Sequence, residues 1–125
     1  MRGIRGAIYV KENSKESILH SSDRLLQALL RANRLKPDDL CAIFITATTD
    51  LNAAFPAGIS RKAEYRFIPF LCSQEMDVVD APRKLLRMLV FAHIDKRPDQ
   101  IRHQYIGKAK QLRPDLVQHQ SVRRS

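Results

Sequence analysis

Between Leu85 and Ile94 the chain reads Leu-Leu-Arg-Met-Leu-Val-Phe-Ala-His-Ile, a ten-residue apolar run with one full charge, Arg87. On strand geometry Arg87 shares a face with Leu85, Leu89 and Phe91. An unpaired guanidinium on an apolar face costs too much to keep. A carboxylate of the protein or the anion of a ligand must therefore meet it. The stretch upstream, Pro69 to Arg87, is PFLCSQEMDVVDAPRKLLR. It sets a thiol (Cys72), a carboxylate (Glu75) and the arginine around a turn between two apolar runs, an arrangement suited to a pocket.

Taken from its start, the chain supplies a sheet to carry that pocket. Met1 to Lys11 reads as a first strand, with Arg2, Ile4, Gly6, Ile8 and Val10 on one face and Gly3, Arg5, Ala7 and Tyr9 on the other. Small neighbours at Gly3, Gly6 and Ala7 leave room for Arg5 to reach into a pocket. A solvent-facing strand-end arginine is the alternative. Asn13 or Ser14 can cap a helix running through Asn33, in which Ile18, Ser22, Leu25 and Leu29 recur at helical spacing while His20, Asp23 and Arg24 face outward. Leu40 to Ala47 is nearly continuously apolar and reads as a strand buried on both faces. A polar loop then leads to Phe55, held extended before Pro56, and to a short helix over Ala57 to Ala63 that carries Arg61. Tyr65 to Leu71 reads as a third strand and Leu85 to Ile94 as the fourth. Arg102 to Gln111 reads as the last, with Tyr105 beside the small residues Gly107 and Ala109.

These elements predict one α/β (α+β) domain over residues 1–116, a mixed five-stranded sheet with helices on one face, and a flexible tail over 117–125. One long helix cannot cover five strands on both sides. The bare sheet face and the doubly apolar strand Leu40 to Ala47 therefore point to an oligomer.

Composition narrows the function. Two cysteines, Cys41 and Cys72, provide neither a disulfide framework nor metal-ligand spacing, and read as reduced thiols of a cytoplasmic protein. No apolar stretch approaches the ~20 residues of a membrane span, and no secretory leader is visible. The net charge of +9 and pI near 10.1 first suggest nucleic acid. From Lys96 onward there are eight basic residues against two acidic ones. No tryptophan, aromatic-rich strand signature, zinc spacing or glycine-rich phosphate loop accompanies that charge, so nucleic-acid binding lacks a motif. A solvated basic end, or a field that steers a small dianion, fits it better.

Six motifs in order carry a family resemblance: IRGA at Ile4 to Ala7, TATTDLNAAFPA at Thr46 to Ala57, CSQEMDV at Cys72 to Val78, then Arg87, QIRHQYI at Gln100 to Ile106, and LRPDL at Leu112 to Leu116. Together they resemble the AroH class of monofunctional bacterial chorismate mutases over nearly the whole chain. The resemblance implies a homotrimeric pseudo-α/β barrel with an active site at each subunit interface. It also implies the Claisen rearrangement of chorismate to prephenate, a step in phenylalanine and tyrosine biosynthesis. Such a pericyclic reaction needs no nucleophile, metal or proton transfer, so no cofactor is expected. It needs a fixed substrate shape and positive charge at the ether oxygen, where negative charge builds as the bond breaks.

Carried over by position, the resemblance implies that Arg87 stands beside the ether oxygen, that Arg5 and Tyr105 hold the side-chain carboxylate, and that Glu75 accepts from the ring hydroxyl with Cys72 nearby. Phe55, Ala57 and Leu112 would form apolar wall, and Arg61 and Arg113 would lie at the mouth. Gly58 stands where some relatives carry a longer, often basic side chain. One residue fewer separates Arg61 from Cys72, and the turn Val79-Asp80-Ala81-Pro82 replaces a glycine-containing one. The alternative is a catalytically silent trimeric module on the same scaffold that binds a small carboxylate.

Overall fold

Ser14 is the residue that starts the long helix. Its backbone is extended, and its side chain accepts a hydrogen bond from the Ser17 N–H at 3.1 Å. Asn13, the other candidate cap, bonds instead to Asn52. The computed structural model describes residues 1–116. Helix α1 (Lys15–Ala32) buries Ile18, Ser22, Leu25, Leu26, Leu29 and Leu30, the stripe that the spacing predicts, and leaves His20 exposed.

Five strands form one sheet: β1 (Arg2–Tyr9), β2 (Leu40–Ala47), β3 (Phe70–Gln74), β4 (Leu85–Ala92) and β5 (Gln104–Ile106). Their order is β3-β2-β4-β1-β5. The strand that carries Arg87 is thus central. It runs antiparallel to β1 and β2, and each of these pairs in parallel with an edge strand. Ile4, Ile8, Ile43, Ile45, Leu86, Met88 and Val90 turn one sheet face toward α1 and make the core. Gly6 sets the closeness of that packing. A Cβ there would lie 2.9 Å from Leu25 Cδ1 and 3.2 Å from the Gln104 carbonyl oxygen, so only glycine lets α1 and β5 approach β1 together.

The mixed five-stranded sheet agrees with the sequence reading, but its helices are not all on one face, since a 3-10 segment after β5 crosses the other, and four local expectations need correction. The third strand is Phe70–Gln74, not Tyr65 to Leu71. Tyr65 is drawn onto α1, where its hydroxyl accepts from Gln27 Nε2 at 2.6 Å and donates to Asp23 Oδ1 at 3.3 Å. The expected helix over Ala57 to Ala63 is a pair of 3-10 segments, Pro56–Arg61 and Ala63–Tyr65. The last strand stops at Ile106, because Gly107 turns the chain at φ 59° into a 3-10 segment, Gly107–Leu112. Finally, β2 is buried on one face only. Phe44 and Leu89 on the far face are each 39% exposed, and the rings of Phe44 and Phe91 meet edge to face at 5.8 Å.

The Gly107–Leu112 segment is folded back across that far face. Ala109 is buried against Ala7 and Leu85, with Tyr105 and Leu112 packed around them. Among the described residues no helix is long and apolar enough to cross a membrane. The expected flexible tail, 117–125, lies outside the described residues.

Candidate active site

Arg87 lies on the far face of β4, away from α1, and it does meet a carboxylate. Its Nε is 3.6 Å from Glu75 Oε1, with the Arg87 side chain 47% exposed and that of Glu75 23%. Glu75 stands one residue beyond β3 and prolongs the β2–β3 ladder, its N–H donating to the Ala47 carbonyl at 2.7 Å. Thr46 Oγ1 donates to the second carboxylate oxygen. The carboxylate is thereby fixed by neighbours on two sides, and the 3.6 Å from Arg87 Nε to Oε1 is longer than a hydrogen bond. An ion pair that long leaves the guanidinium able to donate to another acceptor.

Register explains what stands beside the pair. Thr46, Arg87, Ala7 and Tyr105 fall in one line across β2, β4, β1 and β5. Alanine is the small member of that line, and Ala109 of the 3-10 segment packs over it, leaving Ala7 fully buried. Leu112 and Arg113 follow from the 3-10 segment that crosses the same face. Arg113 is engaged by Asp115, Nε to Oδ1 at 3.1 Å and the terminal nitrogen to Oδ2 at 2.9 Å. That contact holds the Asp115 carboxyl below its usual range.

Arg5 lies on the same face two residues earlier in β1, opposite Leu89. Its backbone N–H donates to His103 Nδ1 at 2.9 Å. Burial, with the Arg5 and Arg113 guanidiniums adding to it, pushes the His103 imidazole down to about 4, so it is neutral at pH 7.

The remaining residues lie elsewhere. Cys72 pairs in register with Ile45 and turns toward the α1 side, where it packs against the core. Its sulfur accepts the Ala57 N–H at 3.2 Å, and burial raises the thiol's pKa. Phe55, 80% exposed, and the exposed Arg61 belong to the same neighbourhood, on the Pro56–Arg61 segment and the residue before it. One chain therefore groups Arg5, Glu75, Arg87, Tyr105, Leu112 and Arg113 on the far face, and Phe55, Ala57, Arg61 and Cys72 along the β3 edge. The thiol, carboxylate and arginine do not converge around one turn, because Cys72 and Glu75 point to opposite faces.

A cleft of about 490 Å³ adjoins Glu75 on its other side, but Asp50, Glu75, Asp77 and Asp80 line it against Arg83 alone. It would repel a dianion. Two residues that the sequence reading did not select touch these candidates: Thr46, which donates to Glu75, and His103, which accepts from the Arg5 N–H. Alternation along β2 places Thr46 on the face of Arg87 and could have found it. No local signal marks His103.

The profile of the chorismate mutase type I family matches residues 1–116. Chorismate mutase AroH of Bacillus subtilis is 40% identical over 117 residues, covering 93% of this chain and 92% of that protein. Its counterpart in Thermus thermophilus is 38% identical over 117 residues, covering 93% and 96%. The solved structure of a chorismate mutase from Clostridium thermocellum superimposes with a TM-score of 0.85 at 34% identity, covering 88% of this chain and 98% of that one.

Proposed function

The chain belongs to the chorismate mutase type I family, and from that premise we propose that it converts chorismate to prephenate by holding the substrate folded against fixed positive charge. The observation that carries this reading is the half-exposed Arg87 on the central strand, with its charge balanced but its guanidinium only partly engaged by Glu75. Arg87 stabilises the charge that develops on the ether oxygen. Interactions made only in the transition state raise turnover, and loss of one preorganised donor costs about 3 to 4 kcal/mol. Arg5 and Tyr105 grip the side-chain carboxylate, a contact worth roughly 1.5 to 3 kcal/mol. Glu75 accepts the ring hydroxyl while Thr46 keeps its second oxygen in place. Leu112 walls the site, and Arg113 closes on the substrate by exchanging Asp115 for a substrate carboxylate.

The division of residues between two places supports a shared site. A second copy that laid its Phe55, Ala57, Arg61 and Cys72 edge over the far face of the first would complete the pocket. It would also cover Phe44 and Leu89. Three such head-to-tail contacts close a ring, and this is the homotrimer we propose, acting in the cytoplasm, where Cys41 and Cys72 stay free thiols.

Two measurements test the reading. Purified protein should consume chorismate and form prephenate without added metal or cofactor. If it binds chorismate but forms none, the scaffold is a binding module and the enzyme reading fails. For the shared site, Arg87→Ala and Ala57→Asp chains, each inactive alone, should regain activity at about a quarter of the sites after mixing and subunit exchange. No recovery from exchanged trimers would mean that each chain builds its own site.

A further inference from the structure

We propose that His103 is a positioning residue for Arg5, an uncharged strut that fixes the strand end from which this arginine reaches the substrate carboxylate. The inference rests on the reading of Arg5 as a carboxylate-binding residue. Its basis is the way β1 and β5 meet. Their parallel pairing covers Gly6 with Gln104, Ala7 with Tyr105 and Ile8 with Ile106, and begins only at Gly6. The Arg5 N–H stands one residue before that ladder. The imidazole Nδ1 of His103 takes the missing place, accepting at 2.9 Å.

His103 is itself held from behind. Asn33, at the C-terminus of α1 and 2% exposed, brackets the preceding residue. Its Nδ2 donates to the Arg102 carbonyl at 2.9 Å and its Oδ1 accepts from the Arg102 N–H at 2.9 Å. The same Nδ2 also donates to the Leu29 carbonyl at 2.9 Å. The end of the core helix therefore fixes Arg102, Arg102 carries His103, and His103 fixes the backbone of Arg5. A guanidinium on four rotatable bonds gains little from a charge it cannot hold in place, so this chain of contacts turns a surface arginine into a directed one.

Acceptance through Nδ1 requires a bare nitrogen there, with the ring proton on Nε2. The environment keeps it so, since burial disfavours the charged ring and the positive charges of Arg5 and Arg113 add to that.

The experiment compares His103→Ala, His103→Asn, Arg5→Ala and the Arg5→Ala/His103→Ala double variant by steady-state kinetics and thermal unfolding. Asparagine places its side-chain oxygen near the position of Nδ1 and can accept the same N–H. The expected result is a KM raised about 5- to 10-fold in His103→Ala with kcat within about twofold, restored to within about twofold of wild type in His103→Asn. In the Arg5→Ala background, removal of His103 should raise KM no further. If Arg5→Ala raises KM but His103→Ala does not, or if the two effects multiply, the strut is overturned while the role of Arg5 stands. If Arg5→Ala leaves KM unchanged, the reading of Arg5 falls and the strut with it. If His103→Ala does not fold, His103→Asn decides. KM near wild type supports the strut, and a KM as high as that of Arg5→Ala in a folded protein refutes it.

Discussion

Replacing Glu75 by Gln separates a structural ion pair from a catalytic one, because the two readings differ in where the loss falls. The pair with Arg87 spans 3.6 Å between side chains that are 47% and 23% exposed. At that separation a water-like dielectric allows about 1 kcal/mol, and exposure and salt reduce it further. Glutamine also keeps an oxygen that can accept from Thr46 and preserves the Glu75 backbone bond to Ala47. The stability cost should therefore stay below about 1 kcal/mol. The activity cost is larger. A hydrogen bond from the substrate hydroxyl to a carboxylate is worth roughly 1.5 to 3 kcal/mol, or about 10- to 150-fold in kcat/KM, and a neutral acceptor recovers only part of it. Urea unfolding and prephenate formation by the same preparation measure both quantities. A variant that loses more than about 2 kcal/mol of stability yet turns over normally would make Glu75 a strut of the fold and not a substrate ligand.

Three further outcomes follow from the packing and the charges. Gly6→Ala should destabilise by about 1 to 3 kcal/mol in urea, because the added methyl meets Leu25 and the Gln104 carbonyl; an unchanged midpoint would mean that β5 and α1 can retreat. Phe44→Glu places a charge on the half-exposed apolar face, and sedimentation should show monomers with activity lost; a trimer of full activity would place the interface elsewhere. Burial and two guanidiniums lower His103 in the fold to about 4, from 6.5 in the unfolded chain, so protons favour unfolding between those values. Stability present above about pH 6.5 is lost as pH falls toward 4, by no more than about 1 to 3 kcal/mol after screening. His103→Asn, which cannot titrate, should lose correspondingly less between pH 7 and pH 4, and an identical decline in both proteins would remove the imidazole from the cause.

The parts of this fold that were legible in the sequence are those in which one periodicity dominates. Helix α1 has an apolar stripe, a cap at Ser14 and no competing pattern, and β4 is an apolar run of strand length with one charge. The edge strands were harder. Tyr65 belongs to an apolar stretch that could have been sheet, and only its bonds to Gln27 and Asp23 on α1 decide otherwise. Similarly, the strand after Arg102 ends where Gly107 takes a positive φ, a conformation that glycine permits and does not announce. At the site, the residue types were legible and their grouping was less so. Cys72 and Glu75 are three apart, an odd spacing that sends them to opposite faces of a strand, although proximity in sequence suggested one pocket. Thr46 and His103 act by supporting Glu75 and Arg5, and support of this kind depends on register across strands that the linear order does not display.

If Arg87 supplies charge to the transition state, its loss should show in kcat of Arg87→Ala at saturating chorismate. The expected fall is about 10²- to 10³-fold, with the fold intact by circular dichroism and sedimentation. A folded variant whose kcat stays within about tenfold of wild type would contradict it, and would leave Arg87 as the partner of Glu75 and nothing more.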